Sequence, residues 1–248
     1  MDTTLHAPGT TCWVELGSPD PESAATFYGA LFGWEFAEDT ARGAGHRTAM
    51  LHGRPVAGFR PAGEPAPPAW TTFVTVDDAV TAAAAVTAAG GIVLSSPGLN
   101  GVVHVADPGG ARFALSEGGA RHAVMDAHEP GTFAWSELIT DDVEASTAFY
   151  GSLFSWVAGA PEAPLGRRAW HLEGTQVALL LPRPPAMPQE IPPYWDAYFT
   201  VADAEEAAAG ASAAGGTVLM APTDIGAGRI AVLLDPQGAV FTVVSHRN

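Results

Sequence analysis

The sequence contains no lysine; all 11 of its basic residues are arginine. That absence excludes Schiff-base catalysis and the phosphate-loop lysine of nucleotide hydrolases. Basic residues are also outnumbered by 27 acids, leaving a formal net charge of −16. A field of that sign repels nucleic acid and anionic lipid, so the expected partner is a small molecule, with neither nucleic acid nor a membrane among its partners. Cysteine is nearly missing too. Cys12 alone permits no internal disulfide, and within "CWVELG" it reads as a small apolar strand residue. No apolar run approaches the length of a bilayer span, and the opening "MDTTLHAPGT" lacks the basic and apolar regions of a signal peptide, so the expected location is cytoplasmic.

What is present is a repeat. "CWVELGSPDPESAATFYGALFGW" (12–34) returns as "AWSELITDDVEASTAFYGSLFSW" (134–156) at a constant offset, 135 − 13 = 122 and 156 − 34 = 122. With 47% hydrophobic and 15% charged residues the chain is globular, and the repeat divides it into two domains, expected at 8–118 and 132–246 with a linker at 119–131.

Each half holds a further repeat. A strand ("CWVELG"), a helix opened by Asp20 and Pro21, and three short strands ("WEFA", "HRTAML", "PVAGFR") lead through the proline-rich "PAGEPAPP" into the same order again. There "WTTFVTV", the helix of "DDAVTAAAAVTAAG", "GIVLS", "GVVHVA" and "ARFALS" make the second unit, with Gly90 and Gly91 at the helix end and "DPGG" (107–110) turning the last hairpin. The predicted class is α+β, with two βαβββ units per half.

These motifs resemble the vicinal oxygen chelate superfamily of glyoxalases, extradiol dioxygenases and bleomycin-resistance proteins: paired βαβββ units, the "FYGxLFGW" helix end and the "DPxG" hairpin. The duplicated "WxELxxxD" and "AAGGxVLxxP" are similar to the two-domain, glyoxalase-like group around the mycobacterial 27 kDa antigen. The resemblance implies two tandem glyoxalase-like domains, each a cupped mixed sheet. Metal-dependent members place His, Gln or Glu on the first, fourth, fifth and eighth strands. Carried onto this sequence, those positions give Trp13, Trp70 and Ala114 in the first half and Trp135, Trp195 and Thr242 in the second, and the fourth-strand segments "PVAGF" and "QVALLL" hold no acid or histidine. No metal ligand is therefore expected, and no cofactor.

The expected site is instead aromatic. Trp13 with Trp70, and Trp135 with Trp195, would offer flat faces to a conjugated guest, with Glu15, Glu137 and Thr242 as polar neighbours. The halves also differ, since Arg229 and His104 have no counterpart in the other copy. Two functions follow. One is binding of an apolar or aromatic small molecule, a natural product or drug, in secondary metabolism or resistance. The other is cofactor-independent isomerase, cyclase or lyase chemistry, with Glu137, Arg229 and His104 as candidate catalytic groups. A metal-dependent glyoxalase or dioxygenase is a third reading, at odds with the donor set. The repeat leaves open a monomer with pseudo-twofold domains or a homodimer.

Overall fold

The structure, a computed structural model, describes residues 6–62, 67–96, 101–117, 127–226 and 228–247. Residues 119–126 of the expected linker and the middle of the proline-rich connector lie outside that set. The first half runs β1 (Thr11–Ser18), α1 (Pro21–Phe32), β2 (Glu35–Glu38), β3 (Arg47–Leu51), β4 (Arg54–Pro61), β5 (Ala69–Val76), α2 (Ala79–Ala88), β6 (Ile92–Val93), β7 (Val102–Ala106) and β8 (Arg112–Glu117). The second repeats it: β9 (Phe133–Thr140), α3 (Val143–Phe154), β10 (Val157–Ala158), β11 (Arg168–Leu172), β12 (Thr175–Pro182), β13 (Tyr194–Thr200), α4 (Ala204–Ala213), β14 (Thr217–Asp224), β15 (Gly228–Leu234) and β16 (Val240–His246). Each half forms one eight-stranded sheet, ordered β2-β3-β4-β1-β5-β8-β7-β6 and β10-β11-β12-β9-β13-β16-β15-β14. Both sheets are mixed, with β1 parallel to β4 and β9 parallel to β12. The α+β class and the tandem βαβββ units are those the sequence implies. No helix among the described residues is long and apolar enough to cross a membrane.

Local chemistry sets the helix ends. Asp20 caps α1 by accepting from the backbone N–H groups of Glu22 and Ser23, and Pro21 follows with its fixed φ. The two glycines after α2 have different jobs. Gly90 takes φ +89°, and the bonds Gly91 N–H to Val86 O and Gly90 N–H to Thr87 O complete a Schellman cap. Gly91 is required by space instead, since a Cβ there would lie 2.6 Å from Ala106 O. After α4 the pair recurs as Gly215 (φ +90°) and Gly216, whose Cβ would meet Leu234 O at 2.6 Å. Gly216→Ala is expected to cost about 2–4 kcal/mol, because the obstacle is strand backbone that cannot swing aside. Chemical denaturation measures it, and a loss well under 1 kcal/mol would show that the strand gives way.

Compactness groups the chain differently from the repeat. One unit comprises Met1–Cys12, Thr72–Arg121 and Trp135–Asp196, the other Trp13–Thr71, His122–Ala134 and Ala197–Asn248. The first has a core in which α2 and α3 bury Val86, Phe149 and Tyr150 against Phe113, Trp156, Trp170 and Trp195. In the second, α1 and α4 bury Phe27, Tyr28 and Ala211 against Trp34, Phe59, Trp70, Phe199 and Phe241. Each core is crossed by a buried polar chain. Tyr150 donates its hydroxyl hydrogen to Asp107 Oδ2 (3.1 Å) and accepts from Trp195 Nε1 (2.9 Å); Tyr28 donates to Asp235 Oδ2 (3.2 Å) and accepts from Trp70 Nε1 (3.0 Å). The aspartate of each half's "DPxG" turn thus meets the helix tyrosine of the other half.

Candidate functional site

Strand alternation positions the site. In β1, Val14 and Leu16 point into the core with α1, so Trp13, Glu15 and Gly17 occupy the opposite face. Glu15 is 1% exposed and would be costly to bury alone. Two arginines make it tenable. Arg42, from the loop between β2 and β3, donates Nη1–H to Glu15 Oε2, and Arg60 of β4 brings Nε to 3.3 Å from Oε1. Both remain partly open, with side-chain exposures of 17% and 28%. Gly58 stands opposite Glu15 across the β1–β4 ladder, and a Cβ there would lie 2.9 Å from Glu15 Oε2 and 3.0 Å from Trp13 Nε1. Glycine there leaves room for both side chains as they are placed.

The second half builds the same corner. Trp135, Glu137 and Ile139 share the face of β9 turned away from the core, and Glu137 is fully buried. Arg167, from the loop before β11, clamps it side-on, Nε to Oε1 at 2.6 Å and Nη2 to Oε2 at 3.2 Å. Here Leu179 takes the place of Gly58. On β13, Tyr194 and Asp196 alternate with the core residue Trp195, where the first half has Ala69 and Thr71 around Trp70. The Tyr194 hydroxyl is held protonated, its ionisation pushed far up by burial first and then by the negative charge of Asp196 and Glu137.

Several expected site residues are elsewhere. Trp70 and Trp195 do not join Trp13 and Trp135 on one face; both lie in the aromatic cores, Trp70 with its ring 4.9 Å from Phe199 and 5.3 Å from Tyr28, Trp195 with its ring 5.4 Å from Tyr150. Their indole N–H groups are committed to tyrosine hydroxyls, so neither ring is a stacking platform. Arg229 is on an exposed part of β15, ion-paired with Glu205 of α4 and bonded to Pro222 O at 3.2 Å, which makes it a surface pair. His104 of β7 lies opposite Ala114 with its ring 6.1 Å from Phe73. Arg229 is thus engaged by Glu205, and Glu137 by Arg167. Thr242 is fully buried, opposite Tyr198 in the β13–β16 ladder.

With this geometry in place, comparison with known proteins is informative. The model of the glyoxalase-like domain matches twice, over residues 13–116 and 136–244. The chain belongs to the glyoxalase-like domain family. CFP32 of Mycobacterium tuberculosis, whose name assigns it provisionally to the glyoxylases, is 35% identical over 247 residues, 95% of this chain and 94% of CFP32. DauV of Streptomyces sp. (strain C5), an anthracycline biosynthesis protein, is 34% identical over 269 residues, 98% of this chain and 96% of DauV. Among solved structures, the Mn(II)-bound glyoxalase from Novosphingobium aromaticivorans superposes with a TM-score of 0.65 at 18% identity, covering 96% of this glyoxalase-like chain and 82% of that one. The halotolerant catechol dioxygenase BphC gives 0.63 at 12% identity, over 97% and 87%. At these identities the likeness is one of fold alone.

The vicinal oxygen chelate superfamily's metal chemistry asks for converging imidazole and carboxylate donors. Among the described residues, no group of three or more His, Cys, Asp or Glu could hold a metal ion. Glu15 and Glu137 are instead held by guanidinium groups, so the donor set does not fit a resident ion. The residues that sequence reasoning missed are those guanidiniums, Arg42, Arg60 and Arg167, with Tyr194 and Asp196. Arg42 and Arg167 come from loops of unequal length ahead of the third strand of each copy, so the repeat offset does not align them.

Proposed function

We propose that this protein binds a mostly apolar, aromatic small molecule against its Trp–Glu–Arg clusters, Trp13–Glu15–Arg42 and Trp135–Glu137–Arg167, without a metal ion or other cofactor. The observation that carries this reading is the clamped carboxylate. To act as a general base Glu137 would give up both contacts with Arg167, whereas a guanidinium–carboxylate pair beside an indole is well suited to orient a planar guest. Relatives named for anthracycline biosynthesis support a fused-ring aromatic natural product as the ligand.

Saturable quenching of tryptophan fluorescence by a panel of anthraquinones is the test. Trp135→Ala should weaken the affinity of the second site about tenfold, while Trp195→Phe leaves it unchanged. Equal affinity in the Trp135→Ala variant would remove the indole from the site.

A second reading, proton transfer without a cofactor, draws on Tyr194, a buried hydroxyl near Glu137 and Asp196 that stays protonated. It requires turnover that Tyr194→Phe abolishes with binding retained. If binding and turnover are both absent in that variant, the tyrosine only shapes the site.

A further inference from the structure

Resting on the ligand-binding reading, we infer that the first-half site selects an aromatic ligand carrying a carboxylate, and that the second-half site does not. Glu15 supplies one negative charge to two guanidinium groups, and among the described residues neither Arg42 nor Arg60 has a second acidic partner. Among the described residues the cluster therefore sets two guanidinium groups against one carboxylate, and it is open on its arginine side and closed on its glutamate side. A planar carboxylate matches a guanidinium edge in shape as well as charge.

The neighbouring backbone is built around this surplus. Gly17 lies opposite Arg60 in the β1–β4 ladder, and a Cβ on Gly17 would come 3.0 Å from Arg60 Nη2, so the guanidinium lies over bare backbone. The second half fills the same ladder position with two aliphatic residues, Ile139 opposite Leu181. Where Gly58 opens the first site, Leu179 stands in the second. Glycine with arginine in one copy, and isoleucine with leucine in the other, are each self-consistent pairs. A mixed pair would either crowd the guanidinium or leave a gap. The copies thus present different chemistry from one framework, two guanidinium groups on one carboxylate in the first half and one on one, flanked by aliphatic residues, in the second.

The probes are 1-hydroxy-2-naphthoic acid and its methyl ester, which share rings and differ in charge, titrated while the Trp13 and Trp135 indole N–H resonances are followed. At Trp13 the acid is expected to bind about tenfold more tightly than the ester, and at Trp135 no such preference is expected. Arg60→Leu, the residue the second half carries, should bring the acid's affinity at Trp13 down to that of the ester; its folding is secured by the remaining Arg42–Glu15 pair and checked by thermal melt. In the unaltered protein the preference should shrink several-fold between about 0.02 M and about 0.3 M salt. Equal affinity of acid and ester at Trp13, or a preference that survives Arg60→Leu, overturns the charge selectivity and leaves the aromatic site standing. Failure of either compound to shift either resonance overturns both.

Discussion

Asp107→Ala is expected to destabilise the protein by about 3–5 kcal/mol, one of the largest effects available from a single side chain outside the aromatic rings. The carboxylate is buried and accepts from two groups that have no access to water. Its Oδ1 takes the Ala111 N–H at 2.8 Å, which closes the "DPxG" turn, and its Oδ2 takes the Tyr150 hydroxyl at 3.1 Å. Alanine leaves both donors unsatisfied and also cuts the chain that continues to Trp195. Tyr150→Phe should cost less, about 2–3 kcal/mol, because the turn survives. The two changes share one hydrogen bond, so the double variant should fall short of additivity by about 1–2 kcal/mol in urea denaturation. Full additivity would mean the Tyr150–Asp107 bond contributes nothing.

The same carboxyl sets an unusual pH dependence. Burial is the largest influence on Asp107 and on Asp235 and pushes both above the ordinary value of 3.8, with backbone N–H donors and the tyrosine hydroxyls pulling partly back. A raised folded-state value means the folded protein takes up this proton before the unfolded chain does. The stabilising contribution of the carboxyl is then fullest below 3.8 and declines as pH rises through the elevated folded value. Relative to Asp107→Asn, the wild-type protein should gain stability as pH is lowered across that interval. A constant difference between their melting temperatures would contradict the shift.

The second large effect is at the first-half cluster. Replacing Arg42 and Arg60 together with leucine should cost about 3–5 kcal/mol, because Glu15, 1% exposed, would be left buried without either ion-pair partner. Either change alone should cost about 1 kcal/mol, since the other arginine still holds the carboxylate. Adding Glu15→Leu to the double variant should recover most of the loss, as replacing a whole buried ionic group by apolar side chains is commonly near neutral. The experiment separates a cluster kept for recognition from one kept for stability. If the triple variant folds as well as the parent and has lost ligand, the charges serve binding; if it stays unstable, Glu15 contributes to the fold in its own right.

Much of the architecture was legible in the sequence because its signals are local. Asp20 with Pro21, the paired glycines after α2 and α4, and the "DPxG" turns each demand a particular backbone, and the repeat supplied the order. The face of Trp70 was not legible. In "WTTFVTV" residues on both faces are buried, so alternation of polar and apolar gave no cue, and the offset borrowed from the family placed the indole one position away from the face it would need. Trp195 carried the same error. Glu15 and Glu137 were legible because β1 and β9 do alternate, with Val14, Leu16 and Leu138 marking the core side. Their arginine partners come from a glycine-rich loop and from a strand end, and nothing in the spacing connects them to a glutamate tens of residues away. Arg229 stood out for being unique to one copy, yet its partner Glu205 is a surface residue of α4, so uniqueness marked a surface pair and not a site.

The account centres on where a guest rests. A crystal structure with 1-hydroxyanthraquinone bound decides it most directly. The rings should lie in van der Waals contact with the Trp135 indole, their oxygens within hydrogen-bonding reach of the Glu137–Arg167 pair. Density for the compound away from both Trp–Glu–Arg clusters, or a cation coordinated by Glu15 or Glu137 in place of arginine, would contradict it.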